Sequence, residues 1–179
     1  MNIRKTLFVL TATVLLLAGC GPRKLDDSVQ SLRFSLIPAD DADEMMRAYE
    51  PVKEYLEAEL GIRVELIVTT DYTAAIEAMR SGHTEIGWFG PFSYVLAAKE
   101  AGAEAVAVGV RRDSGLSTYR SVVVTGANSG ISALEDLKGR TFAFVDPAST
   151  SGNLMPRKMM IENGIDPDVD LSTVMYSGS

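Results

Sequence analysis

From Leu32 onward, short apolar runs alternate with longer amphipathic stretches. Leu32 to Ile37 predicts a strand closed by Pro38, and Met45, Tyr49, Val52, Leu56 and Leu60 then recur at helical spacing until Gly61, with Pro51 expected to break or restart that helix. Val64 to Val68 predicts a second strand. Asp71 reads as the N-cap of a helix carrying Ala75, Ile76 and Met79, with Gly82 beyond its end. A strand over Ile86 to Phe89, a Gly90-Pro91 break, a helix near Ser93 to Ala101 and strands over Ala105 to Val110 and Ser121 to Thr125 continue the series. Ser132-Ala133-Leu134-Glu135 has the form of a capping box and predicts a short helix from Ser132 to about Lys138, stopped at Gly139. A strand over Thr141 to Val145, a helix from about Gly152 to Asn163 with Pro156 in its first turn, and a strand over Leu171 to Met175 complete the pattern. Strand and helix in alternation argue for an α/β fold with parallel sheet and helical crossovers.

The first 31 residues follow another rule. Met1 to Lys5 is basic, Leu7 to Leu17 is almost unbroken apolar sequence, and Ala18 and Gly19 are the small residues of a cleavage site, so residues 1–19 read as an export signal. The apolar run is well short of the roughly 20 residues that cross a bilayer as a helix. Leu17-Ala18-Gly19-Cys20 has the form of a bacterial lipobox, which makes the only cysteine a lipidation site and residues 20–31 a tether, reaching on the order of 15 to 20 Å if flexible. The domain expected to hang from that anchor divides into a first lobe over 32–120 and a hinge with part of a second lobe over 121–179. Two strands and two helices are too little for a complete second α/β unit, so the chain is expected to be a fragment of a longer protein.

Composition narrows the function. The 179 residues are 46% hydrophobic and 23% charged with a net charge of −7, a balance that suits a globular domain. Arg4 and Lys5 are the only charged residues of the leader, which leaves 15 basic against 24 acidic side chains from Cys20 onward. Such a surface offers no basic stripe to nucleic acid, and a small anion would have to be held by local dipoles and hydrogen bonds. One cysteine and one histidine exclude a disulfide framework, a Cys-rich zinc site and a Cys/His nucleophile pair; no metal or cofactor is expected. His83 reads as an exposed turn residue. Asp40, Asp41, Asp43 and Glu44 read as acids favouring the positive end of a helix dipole rather than as cation ligands.

The informative stretch is Phe144-Val145-Asp146-Pro147-Ala148-Ser149-Thr150-Ser151-Gly152, a buried strand running into a hydroxyl-rich loop that opens a helix. Unpaired N–H groups at a helix start together with three adjacent hydroxyls suit a tetrahedral oxyanion, with Gly152 allowing close approach, and ligands of open α/β sheets sit beyond the carboxyl ends of the strands. On these residues alone, Ser149 or Thr150 serving only as a helix cap is the favoured reading, since capping needs only one hydroxyl.

Four segments in order, Trp88-Phe89-Gly90-Pro91-Phe92-Ser93-Tyr94, Ser117-Thr118-Tyr119-Arg120-Ser121, Asp146 to Gly152, and Tyr176-Ser177-Gly178-Ser179, resemble the phosphate/phosphite/phosphonate-binding proteins of ABC importers. The resemblance spans nearly everything after Phe34. It implies a type II periplasmic-binding-protein fold, two α/β lobes with a hinge, closing over a phosphonate-like anion, with the second lobe incomplete in this chain. It assigns ligand contact to Ser149, Thr150, Ser151 and Gly152, with Tyr72, Tyr119 and Tyr94 contributing from the facing lobe and hinge. The histidine and acidic residue that usually follow in that family lie beyond the place where this sequence stops.

The resemblance also implies partners: an ABC permease with its ATPase, the membrane through the lipid anchor, and a periplasmic or extracytoplasmic location. A sensor domain feeding a two-component signalling system is the alternative reading. No Gly-x-Ser-x-Gly elbow, Walker loop or dinucleotide fingerprint supports an enzyme.

Overall fold

The computed structural model describes residues 29–178, so the leader, Cys20, most of the tether and Ser179 lie outside the described residues. Within the compact unit that starts at Ser31, β1 (Ser31–Leu36), β2 (Arg63–Val68) and β3 (Ile86–Trp88) form a parallel sheet in the order β2-β1-β3, with Phe34 opposite Leu66 on one side and Ile86 on the other. Parallel neighbours require crossovers, and α1 (Ala42–Leu60) and α2 (Tyr72–Arg80) supply them. α3 (Pro91–Ala101) leaves the end of β3 with Pro91 at its start, where a missing N–H costs nothing, and stops at Gly102, whose φ of 68° is the left-handed conformation that glycine adopts without strain. The chain reverses direction around β1, which puts the starts of α2 and α3 together at the carboxyl edge of the sheet. Phe34, Leu36, Met45, Val64 and Leu66 form the core there, and Tyr49 stacks edge-on against both Phe34 and Trp88.

The second sheet pairs β4 (Thr141–Phe144) with β5 (Thr173–Tyr176), again parallel, with α4 (Met155–Glu162) between them. Leu137, Phe144, Met160, Ile165 and Leu171 are its buried core.

Four expectations change. Pro51 does not interrupt α1, which runs unbroken for 19 residues. Its ring sits on the exposed face, so the carbonyl one turn earlier that loses its partner faces water, while Asp41 secures the start by accepting from the amides of Asp43 and Glu44. The Ser132 helix shrinks to a single 3-10 turn, Leu134–Leu137, and the carboxylate that gathers the free amides of Ser132 and Ala133 is that of Asp136, not Glu135. The final helix begins with a wider turn, Thr150–Leu154, capped by Ser149, before regular α4.

The expected strands Ala105–Val110 and Ser121–Thr125 are absent: the backbone carries alternating valines, yet Val106 is 93% and Val124 86% exposed. A strand exists only where a neighbour takes its amides and carbonyls, and no such neighbour lies alongside among the described residues. This segment is anchored instead by packing, since Gly109 lies so close to the Trp88 indole that a Cβ there would come within 2.7 Å of the ring.

Candidate functional site

The end of β4 and the residues after it fold into a tight loop because Asp146 and Ser149 organise their own backbone. The Asp146 carboxylate accepts from the Ala148 amide at 2.7 Å, the Ser149 amide donates to the Asp146 carbonyl, and the Ser149 hydroxyl accepts from the Gly152 amide at 3.1 Å. Val145 donates to the Gly152 carbonyl, closing the loop, and a Cβ on Gly152 would come 2.4 Å from the Val145 side chain and 2.9 Å from the Ser149 hydroxyl. Close packing against the strand end therefore requires glycine here, a different reason from the ligand approach expected of it. Ser177 and Gly178 donate to the carbonyls of Phe144 and Val145, which ties the Tyr176-Ser177-Gly178 segment beside the loop.

A brace lies behind. Asn153, buried, donates to the Pro147 carbonyl and accepts from Arg157, whose guanidinium also reaches Asp168 and the Tyr176 hydroxyl and lies 4.5 Å over the Phe144 ring.

The loop faces the carboxyl edge of the first sheet. Ala148 packs into a buried cluster with Ile37, Tyr72 and Ala75, joined by Val145, Trp88, Phe89 and Leu96. The Phe92 amide, in the first turn of α3, donates to the Thr150 hydroxyl at 2.8 Å. Because that oxygen accepts an amide proton, its own hydrogen is left to donate outward. Ser121 donates to the Ser151 carbonyl at 2.6 Å, linking the connecting segment to the same turn.

Between these parts is a cavity of about 260 Å³ lined by Pro91, Ser117, Thr118, Tyr119, Ser121, Thr150, Ser151 and Met155. The structure thus divides the expected site residues. Thr150, Ser151 and Tyr119 face the cavity, while Ser149 and Tyr72 are buried next to it and Tyr94 lies within α3 away from its lining. Burial raises the Tyr72 phenol above its ordinary value, and hydrogen bonding with Ser149 offsets part of that rise. Ser117, Thr118, Ser121 and Pro91 lie in segments that carry the resemblance but are assigned no ligand contact by it, and Met155 is named by neither; the run of hydroxyls over 117–121 is the available signal.

A family described as the phosphonate ABC transporter, periplasmic substrate-binding protein matches residues 34–179. The chain belongs to this family. The phosphate-import protein PhnD of Mycolicibacterium smegmatis is 32% identical over 82% of this chain and 47% of its own length. The phosphonates-binding periplasmic protein of Escherichia coli is 31% identical over 75% of this chain and 41% of its own. The chain spans about half the length of the curated relatives it matches. A crystal structure of a binding-protein component of a Pseudomonas aeruginosa ABC phosphonate transporter superposes with a TM-score of 0.77 at 27% identity, covering 83% of this chain and 50% of that one. The α/β fold of this phosphonate-binding family member is that of periplasmic binding proteins.

Proposed function

We propose that this protein is an extracytoplasmic solute-binding lipoprotein that captures a phosphonate, phosphite or phosphate anion and presents it to an ABC permease driven by its ATPase. The observation that carries this reading is the Thr150 hydroxyl, held by the Phe92 amide with its own proton free beside Ser151 and Tyr119 at the cavity wall. An anion there meets donors from the loop after β4 and from the segment around Tyr119. Ser149, Gly152 and Tyr72 support it from below, and Tyr94 belongs to the helix that opens the opposite wall. In this reading residues 32–120 form the first lobe and 121–179 the hinge and part of the second, and the protein performs no chemistry on its ligand.

Calorimetric titration of the intact protein with phosphate, phosphite, methylphosphonate and 2-aminoethylphosphonate tests the reading. Tight binding of at least one, weakened about 10- to 100-fold by Thr150→Val with a smaller loss of stability in the free protein, where the Phe92 amide loses its acceptor, is the expected result, since a hydrogen bond to a charged group is worth about 1.5 to 3 kcal/mol. Loss of stability without loss of affinity would reduce Thr150 to a structural link. Anchoring through Cys20 is checked separately: a fatty-acid probe should label the wild type and leave Cys20→Ala unlabelled.

A further inference from the structure

Among the described residues, two hydrogen bonds from backbone amides at the carboxyl edge of the first sheet reach the loop after β4, and they differ in kind. One runs from the Phe92 amide to Thr150 at the cavity. The other runs from the Tyr72 amide to the second carboxylate oxygen of Asp146, at 3.4 Å, and lies outside the cavity lining. Asp146 is 5% exposed, a degree of burial that a carboxylate tolerates only when hydrogen bonds meet its charge. Its first oxygen is satisfied within its own loop by Ala148, and its second is met by the first residue of α2, whose amide has no helical partner. The positive end of the α2 dipole thus faces a negative charge supplied by the other half of the protein. Around this contact Tyr72, Ile37, Ala75 and Ala148 are buried together.

We infer that Asp146 is a positioning residue that clasps the two halves shut by binding the start of α2, so that the closed arrangement is held in part without ligand. The contact forms only when the loop after β4 is seated on α2. It breaks on opening, which leaves a buried-type carboxylate to be rehydrated. The residue therefore acts on how long a bound anion stays, not on how it first arrives. The clasp rests on the two-lobe reading above, and its effect on residence rests on the anion-binding reading as well.

Asp146→Asn separates the clasp from the loop. An amide side chain has a single acceptor oxygen, and the shorter bond to Ala148 keeps it, which turns the NH₂ group toward the Tyr72 amide, donor against donor. Hydrogen exchange by NMR on the intact ligand-free protein should show the Tyr72 amide protected in the wild type and about tenfold less protected in Asp146→Asn, with the Ala148 amide unchanged. Stopped-flow with methylphosphonate, or with phosphate or phosphite if that is the anion bound, should show dissociation faster by about tenfold and association altered by less than about twofold. Asp146→Glu, which keeps both acceptors, should recover part of the protection.

Equal Tyr72 exchange in wild type and Asp146→Asn would overturn the clasp, as would unchanged dissociation in a variant that still binds. If Asp146→Asn does not fold, the wild-type amides decide alone: a Tyr72 amide exchanging as fast as an exposed one overturns the proposal, and a protected one supports it. If the wild type binds none of these anions, the functional reading fails and the exchange result still judges the clasp.

Discussion

The loop after β4 has a buried side and an open side, and they are built on opposite plans. On the buried side, Asp146, Ala148 and Ser149 are almost inaccessible and their polar atoms are taken up by the loop's own amides and by Tyr72. On the open side, Thr150 and Ser151 face a cavity with Tyr119, which is 49% exposed, and the Thr150 proton has no acceptor in the loop. Neighbouring hydroxyls in one motif thus carry different duties: one closes the turn that makes the next available. A run of Ser and Thr is not three copies of one contact.

That division can be broken most severely from beneath. Phe144 is fully buried at the end of β4, packed on Phe142 and covered by the Arg157 guanidinium, so Phe144→Ala should cost about 3 to 5 kcal/mol of stability, measured by denaturant unfolding, and take both sides of the loop with it. Ser149→Ala should cost about 1 kcal/mol through loss of the cap and lower affinity as well, whereas Thr150→Val acts mainly on affinity; a thermal melt and a titration on each variant make the contrast. Smallest in size and sharpest in meaning is Tyr119→Phe. Its free phenol should contribute about 1 kcal/mol or less to binding, and the change should reorder preference among phosphite and phosphonates in a competition titration without moving the melting temperature. A uniform loss for every anion would make Tyr119 a generic wall.

How much of this could be read from the sequence depends on whether the determining interactions were local. Asp71 and Gly61 set their helix ends through contacts a few residues away, and both were legible, whereas Pro91, read as a break, is the first residue of its helix. The hydroxyl loop was legible as a strand end running into a capped helix start, because those determinants follow one another in sequence. The valines of 105–110 and 121–125 misled because periodicity reports a residue's suitability for a sheet, while a strand also needs a neighbour. Pro51 misled for the converse reason: a helix interior tolerates proline where the orphaned carbonyl can reach solvent, and that depends on which face packs. Asp146 was visible as a letter in the motif, but its partner Tyr72 lies 74 positions away, and only folding brings the two together.

Among the described residues, those lining the cavity include no lysine and no arginine. An anion held there would have no counterion to part from, only fixed dipoles whose strength depends on keeping water out. In the proposed reading such a site would grip while shut and let the anion go once solvent enters, without any ion pair having to be pulled apart. Under the proposed function, grip and release are then governed by one variable, the wetness of the cleft.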